Sequence, residues 1–383
     1  MIKKWLSKCR ILKAPDSAYV SVEKNLVNEY NKHRPYGAKK YFCYAPFNNI
    51  YLNTFGNPAA CWQSFFYEDS YPKKSLKEIW FGENFTRLRE HISHDDLTFK
   101  CSECERNLKN KNYYTVLARA YDNQYPLTKY PSVMELELDN NCNLECIMCS
   151  SNLSSNVHKK DVNAIPYSSP YDSSFVKEFE EFVPYLNEVR FNGGEPFLIN
   201  IYYDLWELIL KMKPGIKMVV ATNGTVLNDR VKTLLAKGKF HINFSLDSLN
   251  KETYELIRKN AVYEETMDNL KFFQDYCIKN KTTLCILANP MRQNWLEMPE
   301  FVKLCNTHNL PLWYNTIIRP ENCALWTLPS VELTEIFNTL SSTTFAVNPL
   351  KSQSYHNQGV YYNLVFGQIK TWLEEAIERE KRS

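Results

Sequence analysis

The stretch VMELELDNNCNLECIMC, residues 133–149, runs from a strand-like segment directly into a loop that carries three cysteines. Cys142, Cys146 and Cys149 stand at the spacing C-x3-C-x2-C, immediately after the first strand of a region where strand-like and helix-like text alternates. Further strands read EVRFN (188–192), KMVVATN (217–223), HINFSLD (241–247), TTLCILAN (282–289) and LWYNTII (312–318). Between them, Phe175, Phe179, Phe182 and Leu186 form one apolar stripe at three-to-four spacing, and Tyr202, Leu205, Leu208 and Met212 form another. Asn228 is placed to cap a helix that Gly238 closes. Such alternation predicts a parallel sheet with right-handed crossovers. Six strands with helices outside make an open or closed β/α barrel, whose chemistry sits at the C-terminal strand ends.

Three thiolates on one loop suit an iron–sulfur cluster, because soft sulfur ligands favour such sites. A cubane bound by three ligands keeps one iron open. Zinc sites prefer a closed set of four ligands, often in C-x2-C pairs, so this loop fits zinc poorly. One strand later comes FNGGEP, where Gly193 and Gly194 let the backbone approach a neighbour closely and Glu195 can accept a hydrogen bond. Asn223 ends the third strand within ATNGT, and Ser245 and Asp247 end the fourth within SLDS. Alone, each of these is a turn, a cap or a solvated surface group.

Together these motifs resemble the radical S-adenosylmethionine (SAM) superfamily, whose signature is this cysteine spacing in this place. The residue before the last cysteine is commonly aromatic in the family and is Met148 here. The resemblance implies a partial (β/α)6 TIM-like barrel and a [4Fe–4S] cluster on Cys142, Cys146 and Cys149, with SAM bound at its open iron. It implies SAM contacts at Gly193, Gly194, Glu195, Asn223, Ser245 and Asp247, and at Arg258 in YELIRKN, which would pair with the SAM carboxylate. The implied activity is reductive cleavage of SAM to a 5′-deoxyadenosyl radical, which takes a hydrogen atom from a substrate. An electron donor such as a flavodoxin or ferredoxin would serve it, and the cofactor would supply the hard chemistry.

The first 130 residues read differently. Cys43 and Cys61 bracket a strand-like run with Gly56 inside it, and Cys101 and Cys104 follow as C-x2-C after the helical phrase SLKEIWFGENFTRLREHI. A small α+β metal-binding module fits this pattern. Its opening resembles twitch and SPASM domains, which implies an auxiliary iron–sulfur cluster, here with four cysteines and ahead of the core rather than after it. Zinc ribbons are also built from a hairpin plus C-x2-C, so structural zinc stays open. His91 and His94 read as two solvated histidines. The expected division is an N-terminal extension (1–40), the auxiliary module (41–125), the radical SAM core (130–325) and a helical C-terminal segment (326–383).

Composition bounds the rest. Of 383 residues, 44% are hydrophobic and 23% charged, an ordinary globular mix, and the net charge of +3 suggests no nucleic-acid partner. No apolar run is long enough to span a bilayer, and the basic start MIKKWLSKCRILK lacks the apolar core of a secretory signal. Twelve cysteines without that signal point to thiolate chemistry in a reducing, cytoplasmic setting. Five cysteines lie outside the two constellations, and four of them read as small buried hydrophobes. Cys323, in the loop IRPENCALW after the sixth strand, is the candidate hydrogen donor to a substrate radical, facing the cavity at the barrel mouth. The expected substrate is a peptide or amino-acid derivative, or a carbohydrate to be epimerised or oxidised. A non-catalytic zinc or iron–sulfur scaffold is the alternative from another class.

Overall fold

The computed structural model describes residues 19–34, 37–122, 127–345 and 352–382. The basic start and Cys9 lie outside them. The described residues divide into two units, one from residues 1–135 with 170–188, the other from 136–169 with 189–383. Each is taken by itself.

In the first unit, β1 (Asn49–Leu52) and β2 (Pro58–Ala59) pair antiparallel, Tyr51 opposite Ala59. The turn between them needs Gly56: its φ is +83°, and a Cβ there would lie 2.1 Å from the Tyr71 carbonyl oxygen. β3 (Val133–Leu136) follows β1 in strand order. Its Glu135 is fully buried yet satisfied, accepting from Asn49 Nδ2 at 2.8 Å, Tyr121 OH at 2.9 Å and Trp62 Nε1 at 3.1 Å. The helical phrase of this module forms two helices rather than one, Leu76–Phe81 and Glu83–Ser93. Ser75 and Glu78 cap the first reciprocally, and Gly82 then runs extended and splits the pair. A Cβ at Gly82 would meet the Glu78 carbonyl at 2.3 Å, which is why glycine stands at the break. His91 and His94 are not solvated as read: His91 Nδ1 lies 2.9 Å from Asp96 Oδ2, and Tyr19 stacks on His94.

The second unit is α/β. Strands β4 (Glu188–Phe191), β5 (Lys217–Thr222), β6 (Phe240–Ser245), β7 (Leu284–Ala288) and β8 (Leu312–Tyr314) follow chain order in the sheet. Pairing from β5 to β8 is parallel throughout. Helices Asn200–Met212, Asp229–Lys237, Tyr263–Asn280 and Met298–His308 fill the crossovers. Asn228 accepts from Val231 N, the predicted cap. Along β6 and β7 buried residues alternate with partly exposed ones, so one face packs on helices through Ile242, Phe244 and Ile286. The other face, less enclosed, carries Ser245 and Cys285. Beyond β8 the chain is helical, Ser330–Ser341, Ser352–Tyr362 and Lys370–Arg382, with a π-helical stretch at Asn363–Ile369. The fold class is the expected one. No helix among the described residues is long and apolar enough to cross a membrane.

The division differs from the expected one in two respects. Residues 170–188, read as part of the core, group with the N-terminal unit, and the C-terminal helices group with the core rather than apart.

Candidate metal and cofactor site

The loop after β3 is held along its length by backbone and hydroxyl contacts. Ser155 N donates to the Asn140 carbonyl at 2.7 Å, Ser154 Oγ to Leu144 O at 2.8 Å, and Cys149 N to Cys146 O at 3.0 Å. From the opposite side, Glu145 N and Ile147 N donate to the carbonyls of Lys259 and Ile257 at the end of helix Lys251–Ile257. These bonds fix the path of the loop. Cys142, Cys146 and Cys149 remain partly exposed. Burial raises all three thiols, Cys146 to about 11 and Cys149 to about 12, and Cys149 is raised further by Cys146 and Cys142. Three sulfurs on one loop sense each other's charge, with the Arg258 cation opposing the rise at each of them. Such a donor set fits a cationic iron–sulfur centre, which would favour the thiolates.

Gly193 and Gly194 both have positive φ, and a Cβ on Gly194 would sit 2.2 Å from the Asn141 carbonyl oxygen. Glu195 N donates to that same carbonyl at 2.8 Å. The glycines therefore let the end of β4 press against the cysteine loop, a close approach to protein as well as to any ligand.

Glu195 itself turns inward. It is fully buried, and its carboxylate accepts from Thr222 Oγ1 at 2.8 Å, Asn223 N at 2.7 Å and Phe197 N at 3.2 Å. Burial still raises it to about 7. A side-chain contact to the SAM amino group, expected from the sequence, has no free oxygen facing outward, and the segment's backbone is what is left for that role.

Asp247 and Arg258 depart from expectation in the same way. Asp247 is fully buried, takes Asn289 N and Nδ2 on Oδ1 at 2.8 Å each, and pairs through Oδ2 with Arg258 Nη2 at 2.7 Å. Burial would lower Arg258, but Asp247 and then Cys146 hold it above its usual value. Asn294 Nδ2 fixes the Asp247 carbonyl at 2.6 Å. This ion pair ties β6, β7 and the helix end behind the cysteine loop together, and Arg258 Nε is left without a hydrogen-bond partner among the described residues. Ser245 closes β6 on the partly exposed face. Asn223 donates to Asn143 Oδ1 at 3.0 Å and toward Cys142 Sγ at 3.9 Å, and accepts from Thr225. Asn143, Thr225, Asn289 and Asn294 were not singled out from sequence; their only signal was a place beside a cysteine or past a strand end.

Cys323 does not face a cavity. It is fully buried, directs its thiol at the Ile147 carbonyl at 3.6 Å, and packs with Ile257 and Met291 against Ile147, Met148 and Ile317. It lies against the cysteine loop, inside an apolar cluster. The loop after β8 folds inward because Cys323 and its neighbours are apolar, which a loop reading of IRPENCALW misses.

In the first unit, Cys43, Cys61, Cys101 and Cys104 lie near enough to affect one another's charge. Burial raises all four thiols, Cys104 to about 12, and Cys101 is raised further by Cys104, Cys61 and Cys43. Cys101 stands at the N-cap position of helix Ser102–Lys109 without a side-chain cap bond, and Cys104 lies in the first turn. Among the described residues, no three His, Cys, Asp or Glu side chains at either site are drawn together as single-ion ligands.

The family description Radical SAM superfamily matches residues 136–305. A GTP 3′,8-cyclase of Aliarcobacter butzleri is 30% identical over 118 residues, 31% of this chain and 36% of that protein. A probable GTP 3′,8-cyclase of Methanocaldococcus jannaschii is 28% identical over 177 residues, 45% of this chain and 54% of that protein. The chain thus spans about half, or less, of these relatives' lengths. A solved structure described as native anSMEcpe with bound AdoMet superposes with a TM-score of 0.42 at 19% identity, over 55% of this chain and 59% of that one. Residues 136–305, with the three-cysteine loop at their start, form a radical SAM superfamily domain.

Proposed function

We propose that the protein is a radical SAM enzyme with one SAM-cleaving [4Fe–4S] cluster and one auxiliary cluster. The observation that carries this reading is the hydrogen-bonded loop on which three partly exposed thiols, Cys142, Cys146 and Cys149, stand together beside the buried Arg258 cation. A cluster on those thiolates would supply the electron for breaking bound SAM, and the resulting carbon radical would take a hydrogen atom from substrate. What the chain itself does is hold and shield. The Gly193–Gly194 backbone and Ser245 are the groups left to orient SAM, while Glu195, Asp247 and Arg258 brace the elements that carry them. Closing the site against water falls to the apolar packing of Ile147, Met148 and Cys323 under the loop.

Cys43, Cys61, Cys101 and Cys104 are read as the ligands of the auxiliary cluster. Burial raises all four thiols and Cys101 senses the charge of the other three, which supports one shared metal group, with structural zinc as the alternative to iron–sulfur. The substrate is read as a peptide or amino-acid derivative, or a carbohydrate. The relatives named GTP 3′,8-cyclase favour a second reading, a purine nucleotide.

The anaerobically reconstituted chain is expected to hold about eight iron atoms and to cleave SAM under reduction. Replacing Cys142, Cys146 and Cys149 together by Ala should remove about half of that iron and all cleavage. Cleavage retained in the triple variant overturns the reading. Metal uptake without cleavage in the unaltered chain would instead favour a non-catalytic scaffold, and zinc in place of half the iron would reassign the four-cysteine site. Stimulation of SAM cleavage by peptides, sugars or purine nucleotides separates the substrate classes.

A further inference from the structure

The amide of Asn223 is oriented from three sides. Its backbone N–H is fixed by Glu195 Oε2 at 2.7 Å. Its Oδ1 accepts from Thr225 N at 2.9 Å and Thr225 Oγ1 at 2.7 Å, so the amide nitrogen must point the other way. Asn143 closes the ring, accepting from Asn223 Nδ2 at 3.0 Å and donating through its own Nδ2 to Thr225 Oγ1 at 2.8 Å. One amide hydrogen of Asn223 is thereby used. The remaining one is directed at Cys142 Sγ, 3.9 Å away. The side chain is buried, so water does not compete strongly for that hydrogen.

We infer that Asn223 is a positioning residue for the cluster rather than a SAM ligand, and that its N–H···S contact sets the ease with which the cluster on Cys142 takes up an electron. This rests on the proposed cluster at Cys142, Cys146 and Cys149. A free thiol is a weak acceptor, whereas a thiolate bound to iron is a stronger one, and hydrogen bonds to cluster sulfurs are among the levers that set reduction potential. Reduction adds negative charge to the cluster, and a donor aimed at a sulfur stabilises that added charge. Removing the donor makes reduction harder. Glu195 reaches the cluster through the same path, because it holds the Asn223 backbone while the Asn143–Thr225 ring holds the side chain.

The test is a redox titration of the reconstituted full chain without SAM, followed by electron paramagnetic resonance. The signal of the open-iron cluster is identified by its change when SAM is added afterwards. Asn223→Ala is expected to lower that cluster's midpoint so that its reduction equilibrium is about tenfold less favourable, close to 59 mV for a one-electron couple. The auxiliary cluster's midpoint is expected to stay put. Thr225→Val, which removes two bonds of the ring but keeps the Asn223 amide and its bond from Thr225 N, is expected to lower the open-iron cluster's midpoint by clearly less than Asn223→Ala does. An unchanged midpoint in Asn223→Ala, or an equal fall in Thr225→Val, overturns the inference. If Asn223→Ala takes up no iron, the unaltered chain decides: with asparagine amides labelled with nitrogen-15, a nitrogen coupling to the reduced open-iron cluster is expected, and its absence overturns the inference. An unaltered chain that assembles no such cluster overturns the proposed function itself, a distinguishable result.

Discussion

Arg258 and Asp247 bury a full ion pair, 6% and 0% exposed, behind the three-cysteine loop. Taking one partner away leaves the other charged and out of water, which costs about 3–5 kcal/mol in comparable pairs. Arg258→Ala is therefore expected to lower the unfolding free energy of the metal-free chain by about that amount. Denaturant unfolding measures it, and a loss under about 1 kcal/mol would show that the pair braces nothing. Glu195 makes a different demand, because its carboxyl is raised to about 7 in the folded chain from a usual value near 4.5. A raised carboxyl is protonated in the folded state while the unfolded chain has already lost its proton. Its contribution is fully present below about pH 4.5 and is lost as pH rises through about 7. Against Glu195→Gln, which stays neutral, the unaltered metal-free chain should lose about 3 kcal/mol of relative stability across that window. A difference between the two proteins that stays flat with pH would mean that Glu195 is ionised at ordinary carboxylate pH.

At the level of elements, much was legible because strands and caps are local. All six expected strands appear, each beginning within two residues of its reading, and the Asn228 cap falls where it was read. The C-x3-C-x2-C loop follows its strand as the spacing required. Gly82 was missed as a helix break because an isolated glycine inside a helical pattern is often tolerated. What sequence could not carry is the direction in which a strand-end side chain turns. Glu195 and Thr222 are 27 residues apart, and Asp247 and Asn289 are 42 apart. Nothing local distinguishes a carboxylate facing a ligand from one accepting bonds from the next strand. Motif resemblance pointed to these segments, while the fold gives Glu195, Asp247 and Arg258 protein partners that no local pattern shows. Cys323 failed for a related reason: its surroundings in the fold, not its neighbours in sequence, decide that the thiol is buried.

On the scale of the whole chain, the N-terminal unit ends near residue 135, close to the expected boundary at about 130, but also takes in residues 170–188. Residues 170–188 lie in sequence between β3 and β4, yet their helix, Ser173–Glu180, packs within the N-terminal unit. Phe175 meets Tyr71 edge-on at 5.3 Å, Tyr130 contacts Phe182 and stacks on Tyr185, Glu178 accepts from Leu76 N, and Lys77 pairs with Glu181. Phe175, Phe179 and Phe182 are all essentially excluded from water. A fragment covering residues 130–383 would keep the entire radical SAM match but remove Tyr71, Leu76 and Lys77 from this helix. Fully burying one such aromatic side chain is worth about 1.5–3 kcal/mol, so exposing several works against a marginally stable fold. The fragment is expected to bind a hydrophobic dye, to aggregate, and to melt well below the full chain in the metal-free state. A fragment as soluble as the full chain, with an equal melting temperature, would show that residues 170–188 belong to the radical SAM unit after all. The same 130–383 fragment carrying Phe175→Ser, Phe179→Ser and Phe182→Ser separates the causes: if the exposed stripe is the fault, these changes should restore solubility without restoring stability.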